Sequence, residues 1–197
     1  MHMSRLEKVL VNRESKGREN YARLLRHLDK FDLPATPRVL ELGCGTGTVA
    51  AQFAEDNPAA HVLATDADPA QIFAARHRYA GLRNLHFREA DAEQLPFDSA
   101  SFDLVVAQNV FHHLPRWPAA AAEVARVLAP GAWLVWFEFA PPAALRPLFL
   151  PRAVRDGSFT FDEARERFAA CGLALHGHKT ERQFLFTHHD TLLRRAA

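Results

Sequence analysis

Glycines at alternate positions, followed by a strand that ends in an acid, are the residues of this 197-residue chain best suited to binding a ligand. The glycines are Gly43, Gly45 and Gly47, directly after a short apolar stretch, and a second apolar stretch, 61–65, ends at Asp66. Glycines let a ligand lie against bare backbone. A carboxylate at the end of the second strand can accept hydrogen bonds from both hydroxyls of a ribose. The spacing therefore predicts a nucleoside site.

The glycine spacing also narrows the class of ligand. A dinucleotide-binding loop has the pattern G-x-G-x-x-G, and its third glycine would fall at Thr48. No Lys-Ser or Lys-Thr pair follows the loop, which excludes a phosphate-binding P-loop. Residues 41–47 instead read E-x-G-x-G-x-G, which resembles the first motif of the class I S-adenosylmethionine (SAM)-dependent methyltransferases. For the loop taken alone, a plain structural turn is the alternative.

Strands and helices alternate along the chain and would position these residues. Strands are predicted near 38–42, 61–65, 85–87, 102–107, 132–139, 173–180 and 182–188, the last two joined across Glu181. A helix is predicted from Pro118 to 130–131, and another before the first strand from the spacing of Tyr21, Leu24, Leu25 and Leu28. This order predicts a Rossmann-like, doubly wound α/β fold. We expect a mostly parallel seven-stranded sheet, an antiparallel last strand and helices on both faces.

Three further motifs extend the resemblance to the methyltransferase family over residues 38–139. The stretch 91–103 is similar to the family's D-A-x-x-L-P-F and S-F-D motifs, 109–114 to the start of the helix after the fourth strand, and 123–131 to E-x-x-R-V-L-x-P-G. The last motif departs from the family at Ala132, where a second glycine is usual. Four motifs in this order favour the family over a chance match.

The resemblance implies SAM as cofactor and S-adenosylhomocysteine as its product, bound over the carboxyl ends of the first four strands. Family roles carry over to Asp91, which would bind the adenine amino group, and to the backbone N–H of Ala92, which would face a ring nitrogen. Glu41 has two interpretations, a water-bridged ligand contact or a partner of the helix dipole. The predicted cofactor-binding residues are Glu41, Gly43, Gly45, Asp66, Ala67, Asp91, Ala92 and Gln108.

The methyl acceptor and any catalytic base are left open by the sequence. Methyl transfer from a sulfonium is an in-line displacement that needs a base only if the acceptor is not already deprotonated. Gln108, His112 and Glu138 are candidate polar contacts, and packing at a helix start is the alternative for His112. The stretch 107–110 lacks the Asn/Asp-Pro-Pro-aromatic run of amide methyltransferases. We expect a small-molecule acceptor, as in the ubiquinone and biotin-pathway branch of the family.

Composition predicts one domain over residues 1–197, with a net charge of +1 and no sign of a nucleic-acid partner. Its parts would be an N-terminal helical cap (1–33), a SAM-binding core (38–139) and a segment covering the substrate (140–160), for which a packed linker is the alternative. Two cysteines without metal-type spacing predict no metal site and a cytoplasmic location. No signal peptide or membrane-spanning run is recognised. A monomer or homodimer is expected.

Two other functions remain as alternatives to a methyltransferase. A non-catalytic regulator or partner subunit could bind the same nucleoside, although such a protein would be expected to lose one of Gly43, Gly45, Asp66 or Asp91, all present here. An NAD-dependent oxidoreductase is opposed by Thr48 and by the later motifs.

Overall fold

A computed structural model of the chain describes residues 14–140, 159–183 and 186–197. Within them, seven strands form one sheet in the order β3-β2-β1-β4-β5-β7-β6. The strands are β1 (Arg38–Leu42), β2 (His61–Asp66), β3 (Leu85–Glu89), β4 (Phe102–Gln108), β5 (Leu128–Ala140), β6 (Leu173–Gln183) and β7 (Phe186–Arg195). The helices are α1 (Glu14–Leu28), α2 (Thr48–Asp56), α3 (Pro69–Arg78), α4 (Trp117–Val127) and α5 (Phe161–Ala170), with a 3-10 turn at Phe111–His113.

The predicted fold class is confirmed. Strands β3, β2, β1, β4 and β5 pair in parallel, and β7 runs antiparallel to both β5 and β6. Helices α1, α2 and α3 pack on one face of the sheet through Leu24, Phe53 and Ile72. Helices α4 and α5 pack on the other face through Val124 and Phe168. Burial of these apolar side chains on both faces is the main stabilising contribution.

The strand order creates a switch point between β1 and β4. From β1 the chain moves outwards to β2 and β3, and it then returns to form β4 on the other side of β1. The loops that follow β1 and β4 therefore diverge at the carboxyl edge, which opens a crevice where ligands bind in folds of this kind. The glycine loop after β1 and the loops after β2, β3 and β4 all lie at this edge.

Helix α4 ends three residues before the predicted position, at Val127, and β5 begins at Leu128 instead of Ala132. The carbonyl oxygens of Arg126 and Val127, which would continue the helix, accept the backbone N–H groups of Ala100 (2.9 Å) and Ser101 (2.8 Å). Tertiary hydrogen bonds from the loop before β4 thus end the helix.

Two other sequence predictions need correction. Glu181 does not lie in the turn between β6 and β7; it pairs with His188 inside the ladder. Residues 178–182 are all polar and all exposed, so the sequence shows no apolar alternation that could mark the end of the strand. Leu25, expected on the apolar face of α1, is 44% exposed, and His27 is buried instead.

Helix α1 packs on α2 and on the β5–β7 side of the sheet. A Cβ on Gly17 would lie 2.5 Å from the Cβ of Thr48, so the two helices touch at this glycine. The hydroxyl of Tyr21 donates to Asp56 (2.6 Å), and the guanidinium of Arg23 donates to Asp190 (Nε–Oδ1 2.6 Å). No described helix is long and apolar enough to cross a bilayer.

Candidate cofactor cleft

The glycine loop between β1 and α2 adopts a backbone that side chains would obstruct. The φ angles are 64° at Gly43, 53° at Gly45 and 80° at Gly47, all in the left-handed region. A Cβ on Gly43 would lie 2.5 Å from the side chain of Val110, and one on Gly47 would lie 2.5 Å from the ring of Phe87. Backbone conformation and close packing therefore both require glycine, and the first glycine leaves its main chain open to the cleft.

Asp66, at the end of β2, holds the glycine loop against the neighbouring strand. Its Oδ2 accepts the N–H of Gly45 (2.9 Å), and its Oδ1 accepts the N–H of Asp68 (2.9 Å). These two bonds to the backbone fix the orientation of the carboxylate, which lines the cleft. Asp68 caps α3 by accepting the N–H of Ala70 directly before Pro69, a position typical of an N-cap.

A cleft of about 650 Å³ opens at the switch point between β1 and β4. Four of its lining residues carry carboxylates, namely Asp66, Glu89, Asp91 and Glu93. None of the described lining residues is basic; the apolar and small ones are Gly43, Ala67, Ala90, Ala92, Val110, Leu114 and Pro115, with Thr65. An acidic cleft of this kind attracts cations and disfavours polyphosphates.

The loop that carries Asp91 is held by a pair of residues on α4, a role that sequence analysis missed. Glu123 accepts the N–H of Leu95 (2.7 Å) and the Nε–H of Arg126 (2.7 Å). Arg126 in turn donates to the carbonyl oxygens of Phe97 (2.7 Å) and Leu95 (3.0 Å). The hydrogen bond from Arg126 lowers the pKa of Glu123. The E-x-x-R spacing was visible, but its partners lie too far away in the sequence to be deduced.

Glu41 lies in the layer between the sheet and helices α1 and α2, and it is not among the residues that line the cleft. Its carboxyl borders a void of about 10 Å³ with Leu24 and Val106. Burial raises its pKa to about 8, although a hydrogen bond from the backbone of Ala50 favours the charged form. That bond, at the beginning of α2, agrees with the helix-dipole interpretation. Contact of Glu41 with the cofactor stays a prediction.

Gln108, the last residue of β4, is 9% exposed, and neither its Oε1 nor its Nε2 has a hydrogen-bond partner within the described parts of the chain. Asn109, which follows, has a φ of 55°, and its Oδ1 also lacks a partner there. Unpaired buried amides cost free energy, so they often mark places where a ligand or water completes the bonding. The structure thus leaves two amides beside the cleft with unused hydrogen-bonding capacity.

His112 and Glu138, predicted separately as polar contacts, lie against each other. The Nδ1 of His112 is 2.6 Å from the Oε1 of Glu138, whose side chain is almost fully buried. Glu138 also accepts the backbone N–H of His112 (3.3 Å) and of Phe139 (3.1 Å). The pair links the turn after β4 to the end of β5.

The remaining predictions concern the segment covering the substrate, helix α1 and metal binding. The segment 141–158, including Leu148 and Phe149, is outside the described residues, so its role in covering the substrate stays a prediction. Helix α1 contributes no residue to the lining of the cleft. The described residues contain no group of three or more His, Cys, Asp or Glu placed to hold a metal ion.

Together, the strand order, the glycine loop and the acidic cleft define a Rossmann-like domain with a nucleoside-sized site. Comparison with known proteins agrees, since residues 39–131 match a family model described as a methyltransferase domain. The match confirms that residues 39–131 resemble the SAM-dependent methyltransferases, as the motifs of the sequence predicted.

Individual relatives differ in what they act on. A demethylmenaquinone methyltransferase of Thermus thermophilus is 42% identical over 110 residues, covering 55% of this chain and 50% of that protein. A fatty-acid O-methyltransferase of Mycolicibacterium smegmatis is 38% identical over 106 residues, covering 53% and 38%. The chain matches half or less of the length of such curated relatives. The solved structure of the cyclase SpnF has a TM-score of 0.74 at 19% identity, over 86% of this chain and 78% of that one, and shows similarity of fold alone.

Proposed function

We propose that this chain is a SAM-dependent methyltransferase that transfers a methyl group to a small-molecule acceptor. The observation that carries the proposal is the acidic cleft at the switch point, lined by four carboxylates, one of which, Glu93, forms an ion pair with Arg116 (2.9 Å). SAM bears a sulfonium, an ammonium and one carboxylate, so its net charge is positive. A cleft with this charge favours SAM over a dinucleotide, whose pyrophosphate is negative.

We assign residue roles from the family resemblance, supported by the described hydrogen bonds and by the lining of the cleft. Asp66, already fixed by two backbone N–H groups, would accept the ribose hydroxyls with charge-assisted hydrogen bonds. Asp91 and the N–H of Ala92 would bind the adenine edge, and Ala67 would lie against the ring. Gly43 and Gly45 would pass beneath the ribose and the methionine part. Gln108, with its unpaired buried amide, would bind the methionine end or the acceptor.

The chain's contribution to the reaction is alignment and exclusion of water. SAM, when bound, supplies a methyl group already activated on sulfur. The residues of the cleft need only hold donor and acceptor in line, since orientation alone can lower the barrier by several kcal/mol, roughly 7–11 in the best cases. Expulsion of water from the cleft strengthens the same hydrogen bonds.

Names of the relatives support a small-molecule acceptor, because one is described as acting on demethylmenaquinone and another as an O-methyltransferase of fatty acids.

We further propose a cytoplasmic location, supported by the free thiols of Cys44 and Cys171. A single domain over residues 1–197, a monomer or homodimer, and the lack of a nucleic-acid partner complete the proposal. Size-exclusion chromatography with light scattering tests the oligomeric state.

The deciding experiment is calorimetric titration with SAM, S-adenosylhomocysteine and NAD. We expect heat and thermal stabilisation with the first two and none with NAD. A ligand at a hundredfold excess over its dissociation constant stabilises the folded state by about 2.7 kcal/mol. Absence of any response to SAM would refute the donor assignment. A screen of small molecules with methyl-labelled SAM then separates an enzyme from a non-catalytic SAM-binding regulator.

A further inference from the structure

Glu138 fixes which nitrogen of His112 carries the proton. Both carboxylate oxygens accept backbone N–H groups, Oε1 from Phe139 and Oε2 from His112 itself. Because a backbone N–H can only donate, Glu138 acts as an acceptor on both oxygens. In the 2.6 Å contact with Oε1, the Nδ1 of His112 is then the donor. The neutral ring is left with an unprotonated Nε2, which is the form that accepts a proton.

The fold holds this imidazole in a turn whose flanking residues line the cleft. His112 lies in the 3-10 turn after β4, between Val110 and Leu114, which both line the cleft. Phe111, fully buried, anchors the turn in the core. The rings of His113 and Phe139 pack on the imidazole with centroid distances of 3.9 and 4.4 Å. Packing of this kind restricts the ring to one orientation.

Among the described residues, His112 has a hydrogen-bond partner at Nδ1 and none at Nε2. Its side chain is 13% exposed, against 3% for Glu138, so the ring is not sealed from solvent as the carboxylate is. A positioned imidazole with one nitrogen held by a buried carboxylate and the other open is the arrangement of a general base.

We propose that His112 is the general base of the methyl transfer, that Glu138 is its positioning residue, and that the acceptor is a hydroxyl group. The inference rests on the proposed function. As the oxygen attacks, its proton moves to Nε2 of His112 and a bond forms between oxygen and the methyl carbon. The bond from sulfur to that carbon breaks, and its electron pair stays on sulfur. One positive charge thus leaves the sulfonium and one appears on the imidazolium beside Glu138, so charge and atoms balance.

A hydroxyl is the acceptor that needs this base. A neutral hydroxyl is a weak nucleophile, and removal of its proton in the transition state contributes typically 10²–10⁴-fold to the rate. A neutral amine attacks through its own lone pair and can lose its proton afterwards. The dyad would give an amine little advantage, so its presence favours oxygen.

Other titratable groups surround the pair, and the experiment has to separate them. His113 is on the same turn, and His189 lies opposite Glu138 on β7. Burial lowers the pKa of His189, while the Glu138 charge opposes this. His188 packs near Phe139, and the charge of Arg23 acts on both β7 histidines. A pH profile alone would therefore not identify His112.

The test uses two phenols as probes with the full chain and methyl-labelled SAM. 4-Nitrophenol is mostly ionised at mildly alkaline pH, where the assay is run, whereas 4-methylphenol is still almost fully protonated. We expect His112→Gln to lower kcat for 4-methylphenol by roughly 10²–10⁴-fold. It should change kcat for 4-nitrophenol by less than about tenfold, since that acceptor needs no base. Glu138→Gln should lower kcat for 4-methylphenol with little change in KM, and the loss should shrink as the pH is raised. His189→Gln is the matched control and should leave both rates nearly unchanged.

A second measurement needs no acceptor. Nitrogen-15 NMR of histidine-labelled protein with S-adenosylhomocysteine bound should show His112 protonated at Nδ1, and Glu138→Gln should abolish this preference. Equal losses for both phenols, a proton on Nε2, a ring-methylated product, or methylation of amines but of neither phenol would each overturn the proposal. Calorimetry with SAM on the same variants tests the donor site independently, because failure there would count against the proposed function and not against the dyad.

Discussion

The two halves of the sheet, β1–β4 and β5–β7, differ in how far apart in the sequence their interacting residues lie. At the carboxyl edge of the first half, residues from short contiguous motifs line the cleft, such as Gly43 and Asp91–Ala92. In the second half, the contacts join residues far apart in sequence, as in His112–Glu138 and Arg23–Asp190. The first arrangement suits a donor that is always the same, and the second suits an acceptor that varies between relatives.

The two halves also differ in charge. The first presents carboxylates to the cleft. In the second, histidines and aromatic rings pack together, with Phe161 stacked on His178 (4.0 Å) and His189 (4.6 Å). The Nε2 of His178 lies 3.0 Å from the Nδ1 of His189, so at most one proton lies between the two nitrogens. The four predictions below test this contrast.

Gly43→Ala should have the largest effect. The substitution combines a positive φ with a Cβ 2.5 Å from Val110. Strain and overpacking together should lower the free energy of unfolding by roughly 2–5 kcal/mol and abolish SAM binding. Chemical denaturation and calorimetry measure the two effects.

Two glycines provide matched controls for this prediction. Gly172 has a φ of 83° but nothing within 4 Å of an added Cβ, so Gly172→Ala isolates the conformational cost, about 1–2 kcal/mol. Gly81 has open space and no positive φ, so Gly81→Ala should be nearly neutral. If Gly43→Ala behaved like Gly172→Ala, contact with Val110 would contribute nothing.

Asp66→Ala should weaken SAM binding by roughly 1.5–3 kcal/mol, or about tenfold to a hundredfold, because a charged hydrogen-bond acceptor is removed. The melting temperature should also fall, since the N–H groups of Gly45 and Asp68 lose their acceptor. Glu89→Ala removes one charge from the same cleft and serves as the control for electrostatics alone. Equal losses in affinity for the two variants would refute a direct bond between Asp66 and the ribose.

Arg126→Ala should weaken SAM binding although Arg126 is not one of the residues that line the cleft. The substitution removes hydrogen bonds to Leu95 and Phe97 and leaves Glu123 without its guanidinium partner. We expect the free energy of unfolding to fall by roughly 1–2 kcal/mol. The affinity for SAM should fall by less, because the loop that carries Asp91 is held less firmly. Arg165→Ala, which removes an exposed ion pair with Asp162 (3.7 Å), should cost much less. Unchanged affinity in Arg126→Ala would show that the loop keeps its shape without the clamp.

Sequence predicted the first half of the molecule better than the second, for physical reasons. The glycine loop, Asp66 at the end of β2 and the cap at Asp68 depend on local backbone geometry, which short motifs encode. The end of α4 depends on N–H groups of Ala100 and Ser101, and the pairing of His112 with Glu138 depends on the register of β4 and β5. Such tertiary contacts leave no local pattern, so the two residues could be named as candidates but not as a pair.

The smallest expected effect is an opposite pH dependence of stability in the two halves. In the first half, burial raises the pKa of Glu41 from 4.5 to about 8. Between these two pH values the folded protein binds a proton at Glu41 that the unfolded protein does not bind. The contribution of Glu41 to the free energy of unfolding is therefore present below pH 4.5 and is lost as the pH rises through about 8.

In the second half, burial lowers the pKa of His178, His188 and His189 below 6.5, so the unfolded state binds more protons. The contribution of these histidines to the free energy of unfolding is complete above pH 6.5. It is lost as the pH falls below that value towards the pKa of each histidine in the folded state. Thermal melts across this range should show Glu41→Gln flattening the alkaline limb alone. The double variant His178→Asn, His189→Asn should flatten the acid limb alone. A variant that altered both limbs equally would mean that the two halves do not titrate independently, and the contrast between them would then not extend to their electrostatics.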